Sequence, residues 1–282
     1  MSYKRILTVQ DISCVGQCSM TVALPILSAC GVETCVLPSA VLSTHTGGFS
    51  GCTFRDLSGD FPEIQNHWER EGIAFDAIYT GYLGSVEQIG MVKEMFRHLL
   101  TPGGITIVDP AMADNGVLYK GFDDAYARAM KDLCGCADII LPNITEACML
   151  TGTQFQTSYD EAYIARLMDR LCDLGPDRIV LTGVSYAPEQ TGVLVRNGGE
   201  DVYYSHVRLP KNYHGTGDIF ASALVGAHAR GVDLPTAARI AADFTAQCIE
   251  NTYKDPAHWY GVKFETVLPA LIGLLSDQIT DN

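Results

Sequence analysis

Apolar residues fall into two alternating patterns along the chain. Short continuous runs at residues 6–9, 32–37, 75–79, 105–108, 138–141 and 178–181 have the length and β-branched content of strands buried on both faces. Between them lie stretches at 18–30, 61–71, 86–100, 123–133 and 161–174 whose apolar positions return every three to four residues. That spacing predicts helices with one buried stripe. Gly31 stops the first helix, and Gly103-Gly104 is expected to turn the chain into the strand at 105–108. Two later runs, 192–195 and 202–206, are spaced as an antiparallel pair, and helices at 218–229, 234–251 and 264–275 close the chain.

This alternation predicts an α/β fold with three layers, a doubly wound and mostly parallel sheet between two sheets of helices. No Pro/Ser-rich linker, internal repeat or low-complexity segment divides the 282 residues, so one domain over 1–282 is expected. Residues 39–57 stand apart. They are rich in Gly, Thr and Ser without a helical period, which predicts a small flap or edge insertion. In open parallel sheets ligands gather beyond the carboxyl ends of the strands. The residues that follow each predicted strand are therefore the ones to read for chemistry.

The strongest of these is His214-Gly215-Thr216-Gly217-Asp218, which runs straight into the apolar helix Ile219-Phe220-Ala221-Ser222-Ala223-Leu224. Glycines on both sides of a threonine at a helix start leave backbone N–H groups free to bind an anion. Asp218 in the first turn can accept a proton from an attacking hydroxyl. An acid at that place also favours the helix dipole with no function at all. Asp109, followed by Pro110, ends a buried strand, where it could hold a hydrated magnesium ion or form an ordinary Asp-Pro turn. Asn143 and Glu146 have capping-box spacing after Leu141-Pro142, and the same two side chains stand where they could reach a metal through water. Asp11 ends the first strand. Ser43-Thr44-His45-Thr46-Gly47-Gly48 places a histidine in the flap, and Gly81-Tyr82-Leu83-Gly84 places a tyrosine beside a strand end. Each of these has a plain reading as a turn or a solvated loop.

Charge and cysteine content narrow the classes. The net charge of −14 and the absence of a Lys/Arg run argue against a nucleic-acid partner. No run of about 18 apolar residues exists and the N-terminus enters a strand without an apolar leader, so a cytoplasmic protein without a membrane span is expected. The ten cysteines lack paired CxxC spacing and read as reduced thiols. Neither the GxxxxGK[ST] phosphate loop nor a GxGxxG after the first strand is present, which removes P-loop enzymes and nicotinamide dehydrogenases from consideration.

Taken in order, residues 40–47, 81–85, 109–112, 142–146 and 215–218 resemble the ribokinase-like superfamily, and most closely its pyridoxal/pyridoxamine kinase branch. The resemblance spans roughly residues 5–251. It implies an ATP-dependent, magnesium-using kinase, with room for a monovalent cation, that phosphorylates the 5′-hydroxymethyl group of a vitamin B6 ring and works as a homodimer. In that frame Asp218 resembles the catalytic base and Gly215, Thr216 and Gly217 the anion hole. Asp109 and Glu146 resemble the acids that organise the metal, and Asn143, Thr182 and Thr216 resemble nucleotide contacts. The loop at 208–213 is expected to border adenine. Asp11, Ser43, His45, Thr46 and Tyr82 resemble the acceptor pocket. Two positions depart from the branch. Asp11 stands where a serine is common and resembles the related hydroxymethylpyrimidine kinases, and Leu141 replaces a polar residue. The rival readings are a hydroxymethylpyrimidine kinase of thiamine salvage and a catalytically silent ligand-binding protein on the same fold.

Overall fold

The computed structural model describes residues 3–209, 213–255 and 257–280, with side chains to residue 276. Strand β1 (Arg5–Ser13) is followed by α1 (Met20–Ala29), β2 (Glu33–Leu42), the short β3 (Phe54–Asp56), α2 (Phe61–Arg70), β4 (Phe75–Thr80), α3 (Val86–His98) and β5 (Leu100–Val108). A small hairpin, β6 (Ala113–Asp114) with β7 (Val117–Leu118), leads to α4 (Asp124–Cys134), β8 (Ile139–Ile140), α5 (Ile144–Thr151), α6 (Glu161–Cys172) and β9 (Arg178–Val184). The antiparallel β10 (Gln190–Asn197) and β11 (Glu200–Val207) precede α7 (Thr216–Ala229), α8 (Leu234–Tyr253) and α9 (Leu268–Thr280).

Among the described residues one nine-stranded sheet runs in the order β11-β10-β9-β8-β5-β4-β1-β2-β3. The pairs from β9 through β8, β5, β4 and β1 to β2 are parallel, while β3 and β10 run against their neighbours. Each face carries its own core. On one side α1, α7 and α8 cover Ile6, Tyr79, Ile107 and Ile139. On the other, α3 to α6 cover Leu7, Val9, Ile78, Val108 and Ile140. Strand residues thus alternate between two apolar layers, which is why the strands read as unbroken apolar runs.

The direction of winding reverses at β1, which has β2 on one side and β4 on the other. A crevice opens at such a switch point, beyond the strand ends. Asp11, Gly81-Tyr82 and Asp109 stand along its rim. The flap is an edge insertion, as expected. β2 continues to Leu42, and β3 returns antiparallel against Ala40, Val41 and Leu42.

Gly103-Gly104 turns the chain into the strand as expected, although the turn falls inside β5, which begins at Leu100. Leu100 pairs with Phe75 and Ile105 with Ala77, so residues 101–104 loop out against the single Asp76, with Gly103 at φ 80° after Pro102 as in a type II turn.

Candidate active site

Gly215 caps α7 with φ 79° and gives no side-chain hydrogen bond to the helix start. The first-turn amides of α7 therefore remain open to an anion, with the helix dipole behind them. Thr216 opens the helix and turns its hydroxyl back to the Tyr213 carbonyl at 3.3 Å. Asp218, in that first turn, is half-buried. Burial, then the nearby Asp109 and Asp11 carboxylates, push its carboxyl up to about 7, against the stabilising main-chain N–H of Ser19. Solvent access moderates that shift but not its direction, so Asp218 suits proton acceptance near neutral pH.

Asp109 ends β5 as a buried carboxylate whose Oδ1 accepts from the Ala111 N–H at 3.2 Å. Desolvation, then Glu146, raise its pKa, and burial raises that of Glu146 in turn. A buried acid whose pKa a neighbouring acid raises is ready for a cation. Glu146 is nevertheless well bound. Its Oε1 accepts from Met112 N at 3.0 Å and Ala113 N at 3.4 Å, and its Oε2 from Asn143 N at 2.9 Å. Asn143 completes the capping box by accepting from Glu146 N at 2.9 Å, and its amide donates to Ala113 O at 2.8 Å. The pair thus braces the loop after Asp109 against α5. Thr182 lies beside Asn143 across a β-bridge and donates its N–H to Pro142 O at 2.9 Å.

On the other side of the crevice Asp11 is buried and accepts from the Ser13 hydroxyl at 2.9 Å. Burial raises its pKa, opposed by the Ser19 and Ser13 hydroxyls and by His45. Tyr82, half-buried, feels the Asp11 charge and stacks on Phe122 at 5.4 Å, which stacks in turn on Tyr126 at 3.7 Å. In the flap the Ser43 hydroxyl accepts from Thr53 N at 2.9 Å, and Thr46 is exposed. His45 is buried, with its ring 5.4 Å from that of His214. Both His45 nitrogens are engaged by the backbone, Nδ1 by Gly47 N at 3.0 Å and Nε2 by Tyr260 O at 2.9 Å.

The predicted site residues therefore meet at one sheet edge, with Asp218 electrostatically joined to both Asp109 and Asp11. The family model for phosphomethylpyrimidine kinase matches residues 24–261. The chain belongs to the phosphomethylpyrimidine kinase family. It is 30% identical over 186 residues to the hydroxymethylpyrimidine/phosphomethylpyrimidine kinase of Bacillus subtilis, covering 64% of this chain and 66% of that one. It is 28% identical over 244 residues to the pyridoxal kinase of Ovis aries, covering 78% and 76%. The pyridoxal kinase of Lactobacillus plantarum superposes with a TM-score of 0.88 at 34% identity, over 97% of this chain and 98% of that one. A phosphomethylpyrimidine-kinase-like protein of Bacteroides thetaiotaomicron, in a crystal form with pyridoxal, reaches a TM-score of 0.91 at 36% identity over 96% of each chain. The fold is ribokinase-like.

Within this kinase-family site some participants have no local signature. Ser19 holds φ 52° and ψ −127° at the start of α1, where its N–H faces Asp218 and its hydroxyl faces Asp11. A non-glycine residue with positive φ is costly and accumulates at functional sites. Trp259 and Tyr260, between α8 and α9, close on the flap, and His258 beside them meets Gln17. A run of three aromatic rings in a loop was the one signal available for them. Of the loop at 208–213, residues 210–212 lie outside the described residues. A surface groove of about 630 Å³ lined by Lys93, Lys131 and Arg170 lies at the far ends of α4, α5 and α6. There the cations offset the carbonyl ends of the helices.

Proposed function

We propose that this protein transfers the γ-phosphoryl group of ATP to the hydroxymethyl group of a vitamin B6 ring, pyridoxal, pyridoxamine or pyridoxine. One observation carries the phosphotransfer reading. Asp218 stands in the open first turn of α7, behind Gly215, Thr216 and Gly217, with its carboxyl raised toward neutrality. The ring is suggested by the relatives named for pyridoxal and by the aromatic wall Tyr82–Phe122 beside Asp11. Tyr82 would lie along the ring, Asp218 would orient and deprotonate the primary alcohol, and the α7 amides would neutralise developing phosphoryl charge. Thr182 and Thr216 would contact the nucleotide, with Asn143 setting the loop between them.

Among the described residues no group of three or more His, Cys, Asp or Glu could hold a metal alone. Magnesium bound to a triphosphate needs few protein ligands, commonly one or two carboxylates with water. Asp109 fits that demand, and Glu146 would act through water because its oxygens already serve three amides. The metal would supply charge neutralisation on the phosphates.

A second reading keeps the chemistry and changes the ring. Hydroxymethylpyrimidine is favoured by Asp11, whose carboxylate suits an amino group, and by the Bacillus relative. The deciding experiment is an ATP-consumption assay with each B6 vitamer and with hydroxymethylpyrimidine. Turnover with a B6 vitamer supports the first reading, turnover with the pyrimidine alone supports the second, and none with either ends both. Single-domain organisation, a homodimer and a cytoplasmic location belong to the same proposal. A monomeric mass by light scattering at micromolar concentration would remove the dimer. No helix among the described residues is long and apolar enough to cross a membrane.

A further inference from the structure

Both ring nitrogens of His45 are bound to backbone groups. Gly47 N–H donates to Nδ1, so the ring proton resides on Nε2, which donates to the Tyr260 carbonyl 215 residues further along the chain. That bond ties the flap to the loop between α8 and α9. The contact continues outward. Phe49 packs on Trp259 at 4.7 Å and His45 on Phe49 at 5.0 Å. Trp259 lies so close to Gly48 that a Cβ there would come within 2.9 Å of its ring.

The loop that supplies these partners is itself held. Lys263 pairs with Asp255 at 2.5 Å across its base, and Lys263 N donates to Thr252 Oγ1 at 2.8 Å. His258 Nε2 lies 3.1 Å from Gln17 Oε1, and Gly261 lies directly on the Gln17 side chain. Gln17 in turn backs the anion loop at Gly215. One short segment, residues 258–261, therefore touches both the flap beside Asp11 and the strand-to-helix loop beside Asp218.

We propose that residues 258–261 form the outer wall of the acceptor pocket, and that His45 is a positioning residue that clamps the flap onto this wall. Phe49 and Trp259 form the apolar seal of the clamp. His45 thereby governs how well the acceptor is enclosed and how well water is excluded. This rests on the reading of the site as an acceptor kinase.

The test uses His45→Ala, His45→Gln, Trp259→Ala and the His45→Ala/Trp259→Ala double variant in the full chain. Losing the clamp costs about one hydrogen bond and one aromatic contact, so the acceptor KM should rise about tenfold in either alanine variant. KM for ATP should change much less than KM for the acceptor, and ATP hydrolysis without acceptor should increase as water enters. His45→Gln retains a donor and an acceptor and should recover most of the loss. The double variant should resemble either single one, because both break the same clamp. Additive losses, or a Trp259→Ala variant with unchanged acceptor KM and no added hydrolysis, would overturn the proposal.

A second measurement stands apart from activity. Trp68→Phe leaves Trp259 as the one tryptophan, since the chain has 2. In that background His45→Ala should shift Trp259 emission to the red. An unmoved spectrum would mean that no clamp forms in solution, even if every acceptor assay had failed and taken the kinase reading with it.

Discussion

The carbonyl oxygen of Gln17 fills the space that a side chain on Gly215 would need, since a Cβ there would sit 1.8 Å from it. Gly215 also holds φ 79°, which costs an L-residue about 1–2 kcal/mol before any contact is counted. Glycine is thus required twice at the head of the anion loop. Gly215→Ala must displace either the loop or the Gln17 backbone. The expected result is a fall in kcat/KM for ATP of about 10²-fold, the cost of misplacing a positioned group by an ångström. Steady-state kinetics at saturating acceptor check this, and near-normal kinetics in the variant would show that the loop does not grip the transferred phosphoryl group.

Asp218→Asn removes the base and should lower kcat by about 10²–10⁴-fold. It also has a stability signature with a definite sign. Burial and neighbouring acids raise the Asp218 pKa from 3.8 to about 7. The native state therefore favours the protonated form, and the stability this contributes is complete below pH 3.8 and lost as pH rises through about 7. Asparagine imitates the protonated acid at every pH. The variant should be more stable than the parent at pH 8 by on the order of 1 kcal/mol, discounted for solvent access, and equal to it near pH 4. Thermal melts at the two pH values decide it. A gain that is the same at both would refute the raised pKa.

How much of this was legible depended on sequence distance. The capping box of Asn143 and Glu146 is written within four residues and formed in full. The strand-end acids Asp11 and Asp109 followed from the β-α alternation, because that pattern fixes which strand ends share a crevice. Gly103-Gly104 was legible as a turn because Pro102-Gly103 is written locally; what the sequence did not show is that Leu100 already pairs with β4 before the turn. His45 was read as a pocket residue and its clamp to Tyr260 was not, since no local pattern encodes a partner 215 positions away. Ser19 was invisible for a related reason. Its positive φ accompanies hydrogen bonds to both Asp11 and Asp218, and nothing in serine requires it.

The two acids assigned to magnesium should separate on mutation. The Asp109 carboxylate accepts from Ala111 N–H and stands at the end of its strand beside Asp218. Asp109→Asn should raise the magnesium concentration for half-maximal activity about tenfold, the loss of one charged ligand, with little change in melting temperature. Glu146→Gln sets an amide NH₂ against backbone N–H donors that now bind carboxylate oxygens. Leaving buried donors unsatisfied costs about 1–3 kcal/mol, so this variant should melt lower whatever the metal concentration. Magnesium titrations paired with melts of both variants test the assignment. If Asp109→Asn left the metal requirement unmoved, that acid would have no claim as a ligand.

The choice of ring should turn on Asp11. The carboxylate is buried at the end of β1, and the Ser13 and Ser19 hydroxyls donate to it. A carboxylate accepts about four hydrogen bonds, so capacity remains for a proton donor on the acceptor ring. A phenolic hydroxyl, a protonated pyridine, the ammonium of pyridoxamine and the amino group of an aminopyrimidine all qualify. The aldehyde of pyridoxal accepts hydrogen bonds and gains less. A charge-assisted hydrogen bond contributes about 1.5–3 kcal/mol, which corresponds to one or two decades of specificity. The expected ranking in kcat/KM places pyridoxamine at or above pyridoxal, with hydroxymethylpyrimidine a measurable secondary substrate. Asp11→Ser replaces the acceptor-only carboxylate with a hydroxyl that can donate, and should shift preference toward pyridoxal by about tenfold. The three acceptors measured side by side in both proteins check this. An unchanged ranking in Asp11→Ser would show that the carboxylate does not meet the ring, and would leave the phosphotransfer assignment at Asp218 standing.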